Sequence, residues 1–389
     1  MDKRVDTFII RGADGLRFSN SLVLGRGVLL NTTEGGIPEL AAFAGELAPS
    51  GRDDTAAIVA ALADPGAHLR LGPGTFRVSA PITVPGNRTI TGRGAAATTL
   101  LSSHAGSILE MGGDSIRIEE LTLTGPGSGV AGSQGVALAG IGGGLGLGSP
   151  LPVSGIRLRA VAIGAVEAGV VLAGSDLELA TVRVSGVSAN GISLSDGERV
   201  SISNLTVTQA TGGALLLANV TGVDVVGMTA RGCGAGIGIS GSFGCAVSGV
   251  NVVGGSHGVT VASSSITQLS GVSVDECATG FIVVDSAGVS LNGCGLVRGT
   301  GTPLTITGGS FDGFGIAVSA FYAESSGSAP LVVVNGGAKG VTIHSIHHRP
   351  TGTTRTWDVD TTAAGGRVVF IQHDFAANRI NSGGNFVAL

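Results

Sequence analysis

Residues 191–239 read GISLSDGERVSISNLTVTQATGGALLLANVTGVDVVGMTARGCGAGIGI, and one order of small and apolar residues recurs within them. Ile192, Leu215 and Ile237 stand 23 and 22 positions apart, and each is followed two residues later by a second apolar side chain, Leu194, Leu217 and Ile239. Outward from this stretch the register continues through Val170, Val259, Phe281 and Leu304, with partners Leu172, Val261, Val283 and Ile306. A second register, Val161, Val182, Leu205, Met228, Val250, Val272 and Cys294, keeps the same period, so the repeat spans Ile156 to Ile306. A spacing of two places both side chains of a pair on one face of a strand, and the longer period stacks each strand on its counterpart in the next repeat.

Branched aliphatic residues fill most of these positions and glycine or asparagine punctuates them, so the repeats are parallel β-coils and not helical pairs. A leucine-rich repeat would carry a fixed leucine and asparagine ladder, which is absent. Just before the second register stands the column Asn204, Gly227, Gly249, Gly271 and Gly293. These residues adopt φ > 0 at least cost, which predicts a sharp bend there in each coil. Stacked coils rise about 4.8 Å each, and each inward Val, Leu or Ile contributes roughly 1.5–3 kcal/mol by burial.

The chain has 389 residues, of which 69 are Gly and 12 Pro. Glycine without a three-residue period excludes collagen, and abundant Val, Ile and Leu exclude disorder. A net charge of −5 with no basic run leaves no footprint for nucleic acid or an anionic membrane. No apolar run reaches the length of a membrane-spanning helix. The start, MDKRVDTFIIRGADGLRF, has neither a sustained apolar core nor a small-residue cleavage site, so no secretory signal is read. Cys233 and Cys277 share a phase two coils apart, roughly 9–10 Å by strand spacing, beyond disulfide reach. Cys245 and Cys294 occupy other phases. Four free thiols are expected, with Cys294 pointing inward, which suits assembly in a reducing compartment. No cysteine or histidine spacing suggests a metal, and no cofactor is expected.

Residues 1–49 form an N-terminal extension unlike the coils, with short strands in FIIRGADGLRF and SLVLGRGVLL and a small helical stretch from Glu39 to Leu47. Asp53 or Asp54 then caps a helix over 53–63 whose stripe of Ile58, Val59 and Leu62 covers the open end of the coil stack. HLRLGPGTFRVSAPITVPGNRTITGRG follows as short strands between Gly72-Pro73-Gly74 and Pro85-Gly86 turns.

DDTAAI, LRLGPGTFRV, ITV and NRTITGRG, all within residues 50–123, resemble the N-terminal signature of the pectate-lyase-like superfamily of right-handed parallel β-helix proteins. The likeness is greatest to the branch shared by bacteriophage tailspikes and polysaccharide-degrading enzymes. It implies a single-stranded right-handed parallel β-helix with a short N-terminal capping helix. Its functional range is wide: hydrolases, lyases, epimerases and proteins that only bind.

A Gly-rich insertion runs from Gly125 to Pro152, read as a surface loop or the wall of a cleft. After Ile306 the period fades, and residues 310–389 read as less regular C-terminal coils and a cap, following a β-helix over 50–309. This end gathers Phe311, Phe314, Phe321 and Tyr322, and also His344, His347, His348 and His373.

Candidate chemistry lies on two faces. Outward positions beside the first register, Val171, Ser193, Leu216, Gly238, Thr260, Ile282 and Thr305, carry no charge, which marks a subunit contact or a face covered by an insertion. On the other side Arg157, Glu178, Ser201 and Asp224 share an outward column, with Arg183 nearby. Glu178 and Asp224, two coils and roughly 9–10 Å apart, are candidate catalytic carboxylates near the upper separation for an inverting glycosidase. Arg157, Arg183, Tyr322 and Trp357 are the candidate substrate-binding residues, the aromatics as platforms for a sugar ring. Asp275, Glu276 and Asp285 form a second acidic group. Lyase chemistry on a uronate would need a calcium-binding carboxylate cluster and a base; the chain has only Lys3 and Lys339, and no Asp-rich cluster stands among the coils.

The resemblance, the missing signal and the free thiols together imply a phage- or virion-like spike, assembled in the cytoplasm and displayed on a particle surface. It would bind host surface polysaccharide as a homotrimer and dock to a virion or larger particle through the N-terminal segment. A free polysaccharide hydrolase or lyase, and a non-catalytic structural fibre or decoration protein, are the alternatives.

Overall fold

The computed structural model describes residues 22–23, 29–30, 46–64, 68–139, 152–308, 315–349, 358–361, 368–373, 380–381 and 386–388. Its architecture follows from the way one strand can bend without leaving its ladder. Ile192–Ala210 is a single strand of 19 residues, yet Asp196, Arg199, Asn204 and Gln209 within it sit at φ 50, 57, 52 and 57°. Each is a corner one residue long. The next coil, Gly213–Arg231, turns at matching places and pairs with the first in parallel from Ile192↔Leu215 to Thr208↔Arg231. Repetition gives an all-β parallel solenoid of about 13 turns, close to 60 Å long at the strand spacing.

Three faces result. The first holds the segment that begins at Ile192, the second that around Val200–Ser203, and the third that around Leu205–Ala210. Val170, Ile192, Leu215, Ile237, Val259, Phe281 and Leu304 stack inward from the first face, each at most 1% exposed. On the third face Phe321 meets Phe281 edge-on, ring centroids 5.5 Å apart. The expected corner column is present, with Asn204, Gly227, Gly249, Gly271 and Gly293 at φ 52, 70, 61, 59 and 59°. The same conformation recurs at Glu120, Ala160, Thr181, Ala320 and Ser345. An L-residue there costs roughly 1–2 kcal/mol, and pairing on both sides imposes it regardless of residue type.

The bend after the first face is closed by a column of serines. Ser242, Ser264 and Ser286 each donate through Oγ to the carbonyl two residues back, at 2.8, 2.7 and 2.7 Å. Each also accepts a backbone N–H from the preceding coil, from Val220, Ser242 and Ser264 at 3.2, 3.1 and 3.2 Å. The hydroxyls thus satisfy amides that the tight turn removes from the sheet.

The cap is α1, Thr55–Ala63. Ile58 and Leu62 are buried in the solenoid core, but Val59, a hundred degrees round the helix from Ile58, is 45% exposed and leaves the expected stripe. Asp53 holds the first turn, accepting from Thr55 N and Oγ1 at 3.0 and 2.6 Å and from Ser79 Oγ at 2.6 Å. Those bonds draw its carboxyl down to about 2. Buried Asp54 accepts from Ser50 N and Arg77 N, tying the helix entrance to the coils.

Two further sequence expectations change. Gln134–Leu138 is no loop: it forms a first-face strand between Ser107–Met111 and Ala168–Ser175, with Val136 and Leu138 inward. Flanking glycines conceal a coil with only two inward anchors; residues 140–151 lie outside the described set. Glu46–Leu47, assigned to a helical stretch, is a strand parallel to Arg70–Leu71, because the first complete coil needs a ladder partner. In the extension, Leu22–Val23 and Leu29–Leu30 pair antiparallel. All four cysteines are free and buried, and burial pushes the Cys245 and Cys277 thiols up to about 11. Parallel pairing continues through Ile316–Ser325, Val341–His348 and Val368–His373 to Phe386–Ala388.

Candidate functional site

On the second face Arg157, Glu178, Ser201 and Asp224 lie on successive strands in register, and Arg117, which sequence reading did not single out, precedes them in the same column. Arg157 Nε and Glu178 Oε2 are 3.1 Å apart, both side chains about half exposed, a geometry worth little in water. Asp224 is exposed and, among the described residues, makes no ion pair. Glu178 and Asp224 flank the Ser201 strand, and side chains on a sheet stand parallel to one another. The two carboxylates stand two strands apart on that face, roughly 9–10 Å at the strand spacing.

Arg183 belongs elsewhere. It lies past the corner at Thr181, on the third face, in register with Ala162 and Thr206. Tyr322 occupies that same row six strands further along, through Thr206, Thr229, Asn251, Ser273 and Gly295. At the strand spacing this is close to 30 Å from Arg183. Trp357 lies outside the described residues. Among the described candidates, Arg157, Glu178 and Asp224 therefore share the second face, while Arg183 and Tyr322 stand well apart on the third.

The structure instead gathers a polar cluster around Tyr322. Tyr322 Oη donates to Glu324 Oε2 at 3.1 Å, and burial, then Glu324, push the phenol up. Glu324 is only 12% exposed and has Arg349 Nη1 3.8 Å from its other oxygen. Arg298, in the left-handed corner conformation, forks onto Asp275, with Nε to Oδ1 at 2.9 Å and Nη2 to Oδ2, and reaches Glu276 Oε1 at 2.9 Å. Asp275 is 19% exposed. It pairs with Val297, and Leu296 pairs with Ala323, so one strand separates Asp275 from Glu324, roughly 9–10 Å. His347 lies in register with Tyr322 on the far side.

Such a cluster offers acceptors, a phenol and guanidinium forks to the hydroxyls of a ligand laid across the strands. Sequence reading found Tyr322, Asp275 and Glu276 but not Glu324, Arg298 or Arg349. The available signal was the aromatic density of this segment, with Glu324 two residues beyond Tyr322 on the same strand. The surface also carries depressions away from this cluster. One of about 310 Å³ is lined by Asn87, Thr89, Ser115, Arg117, Gly155 and Arg157. Another, about 420 Å³, is lined by residues including Glu46, His68, Arg70, Arg93 and Glu120. Glu46 pairs there with Arg93, and burial, then Arg70, lower the His68 imidazole. Among the described residues no three His, Cys, Asp or Glu side chains come together as a metal site.

Corners of single left-handed residues, inward aliphatic stacks and parallel register throughout define a right-handed parallel β-helix, and the family model described as "Right handed beta helix region" matches residues 168–319. This agrees with the resemblance to pectate-lyase-like β-helix proteins. Among solved structures, the catalytic domain of a GH87 alpha-1,3-glucanase in complex with nigerose is similar at 12% identity and a TM-score of 0.58, covering 92% of this chain and 69% of that one. Full-length tailspike protein 2 from Escherichia coli O157:H7 bacteriophage CAB120 is similar at 14% identity and a TM-score of 0.50, covering 75% of this chain and 46% of the tailspike. At these identities the likeness is one of fold. No curated protein sequence matches the chain.

Proposed function

We propose that this β-helix is the polysaccharide-binding part of a surface spike, which lays an extended glycan along its third face. The observation that carries the reading is the in-register row on that face. Thr75, Thr99 and Thr122 lead through Ala162 and Arg183 to Thr206, Thr229, Asn251 and Ser273, and the row passes Gly295 before it ends at Tyr322 and His347. Hydroxyls, an amide and one aromatic at the strand spacing suit an oligomer of sugars, whose hydroxyls recur at a comparable advance. The glucanase and tailspike names printed for the structural neighbours are in keeping with such a ligand.

Binding is favoured over cleavage by the state of the carboxylates. Glu178 is held by Arg157, Asp275 and Glu276 by Arg298, and Glu324 by Tyr322 and Arg349. A catalytic acid needs a carboxyl free to give its proton, and these are engaged by guanidinium or phenol groups. Cleavage is the second reading, supported by the low exposure of Asp275 and Glu324 on either side of one strand. Incubation with capsular and lipopolysaccharide glycans separates the two: retention without new reducing ends or unsaturated uronates is expected, release of either product establishes a depolymerase, and neither retention nor release overturns both.

A homotrimer goes with the spike reading. Its contact is the uncharged outer row of the first face, where Val171, Ser193, Leu216, Gly238, Thr260, Ile282 and Thr305 follow one another in register. Attachment to a virion or larger particle is assigned to residues 1–49. A monomer mass by light scattering at micromolar concentration refutes the trimer.

A further inference from the structure

We propose that the N-terminal end of the second face is a binding cleft for the acid groups of an anionic polysaccharide; this rests on the polysaccharide reading above and narrows its substrate class. Arg117 and Arg157 are direct neighbours in register on adjacent strands. Like charges so placed repel, and the side of Arg157 that carries a counter-ion is the far one, where Glu178 sits. On its own far side Arg117 has Thr89. Among the described residues Arg117 makes no ion pair.

Both arginines line a depression of about 310 Å³, together with Asn87, Thr89, Ser115 and Gly155. No carboxylate lines it. Asn87, Ser115 and Gly155 are left-handed residues at φ 60, 59 and 73°. Their backbone N–H groups are already donated to the carbonyls of Asp114, Ser154 and Ser175. What remains to offer is the Asn87 amide, the Thr89 and Ser115 hydroxyls, the planar fork of Arg117 and the Arg157 N–H groups not turned to Glu178. An unpaired guanidinium fork beside a second whose Nε is turned to Glu178, with neutral donors around them, matches a carboxylate or sulfate ester more closely than a neutral hydroxyl.

The wider field has the same sign. His68, Arg70, Glu119 and Arg159 are further outward titratable groups on these first strands, with Glu46 in register beside Arg70 and Glu178 beside Arg157, so four arginines stand against three glutamates there, on a chain whose net charge is −5. A solvent-facing arginine stack on a chain otherwise acidic concentrates anions at one end of the face. A uronate or sialate polymer anchored there would run on towards the hydroxyl row around the corner.

The test uses the full chain and immobilised or titrated polygalacturonate, alginate, hyaluronate, polysialic acid, dextran sulfate and neutral dextran, at low and raised salt. At least one carboxylate polymer is expected to bind, and Arg117→Ala to weaken it about tenfold, as for loss of one charge-assisted fork. Arg117→Lys, which keeps the charge but not the fork, is expected to fall between, and exposed Arg52→Ala to change nothing. Circular dichroism melts establish that each variant is folded. Equal binding by wild type and Arg117→Ala overturns the cleft, as does binding of dextran sulfate alone that Arg117→Ala leaves intact. Retention of neutral glycans only would sink the anionic class while leaving the polysaccharide reading standing; no retention of any glycan removes both.

Discussion

Removing one hydroxyl from the serine column tests whether the coil bends are held by side chains or by the stack alone. Ser264 is fully buried, donates to the Ala262 carbonyl at 2.7 Å and accepts the Ser242 N–H at 3.1 Å. The Ala262 carbonyl also receives the Gly241 N–H at 3.1 Å, so Ser264→Ala leaves it one partner. The Ser242 N–H is left with none. A lost hydrogen bond costs about 0.5–1.5 kcal/mol and an orphaned buried donor about 1–3 kcal/mol; together, with some relaxation, a loss near 2 kcal/mol is expected. Urea denaturation followed by far-ultraviolet circular dichroism reads the global loss, and hydrogen exchange of the peptide containing Ser242 reads the local one. Ser286→Ala, at a partly buried position, should cost less. An unchanged midpoint together with unchanged exchange at Ser242 would refute the reasoning, because it would mean that stacking closes the bend unaided.

Three more outcomes are expected. Gly197→Ala places a Cβ 1.6 Å from the Gly174 carbonyl oxygen, whereas Gly186→Ala, at φ 62°, meets nothing within 4 Å; the first should abolish soluble expression and the second cost only about 1 kcal/mol in denaturation. The Asp53 carboxyl is lowered to about 2 from 3.8 by its hydroxyl and amide donors. Its contribution is therefore present above pH 4 and lost as pH falls towards 2, so Asp53→Asn should be less stable at neutral pH and converge with wild type near pH 2 in acid titration. The four buried thiols, with Cys245 and Cys277 pushed up to about 11, should resist a thiol reagent in the native state and all react in denaturant; fast native labelling would contradict the inward placement.

The coil geometry was legible where apolar residues repeat at constant spacing. Val170 through Leu304 line up because each must point inward, and the Asn204 to Gly293 column because glycine and asparagine fit the bend. Corners at Glu120, Ala160 and Thr181 carry no such mark, since their conformation is imposed by paired neighbours. Ser242, Ser264 and Ser286 recur every 22 residues and could have been aligned as the aliphatic columns were; polar columns are quieter because many outward serines are interchangeable. The Tyr322 cluster was only half visible because Gly295 and Tyr322 are register partners 27 residues apart. The lengthened coil breaks the period that would have set Glu324 beside Asp275. Arg183 was misplaced relative to Arg157 because the bend at Thr181, a residue with no preference for it, lies between them.

Because each corner is a single residue wide and adjacent coils match atom for atom along the ladder, length in this molecule comes in units. Removing a stretch such as the coil from Leu215 to Gly236 would bring Ile237 directly onto Ile192, shortening the rod by one strand spacing while every remaining inward contact finds an equivalent partner. A change of that kind slides the features at one end of the rod relative to those at the other, like beads moved along a ruler. The distance between the arginine pair and Tyr322 is thus a quantity that can be stepped, one coil at a time, without redesigning the scaffold.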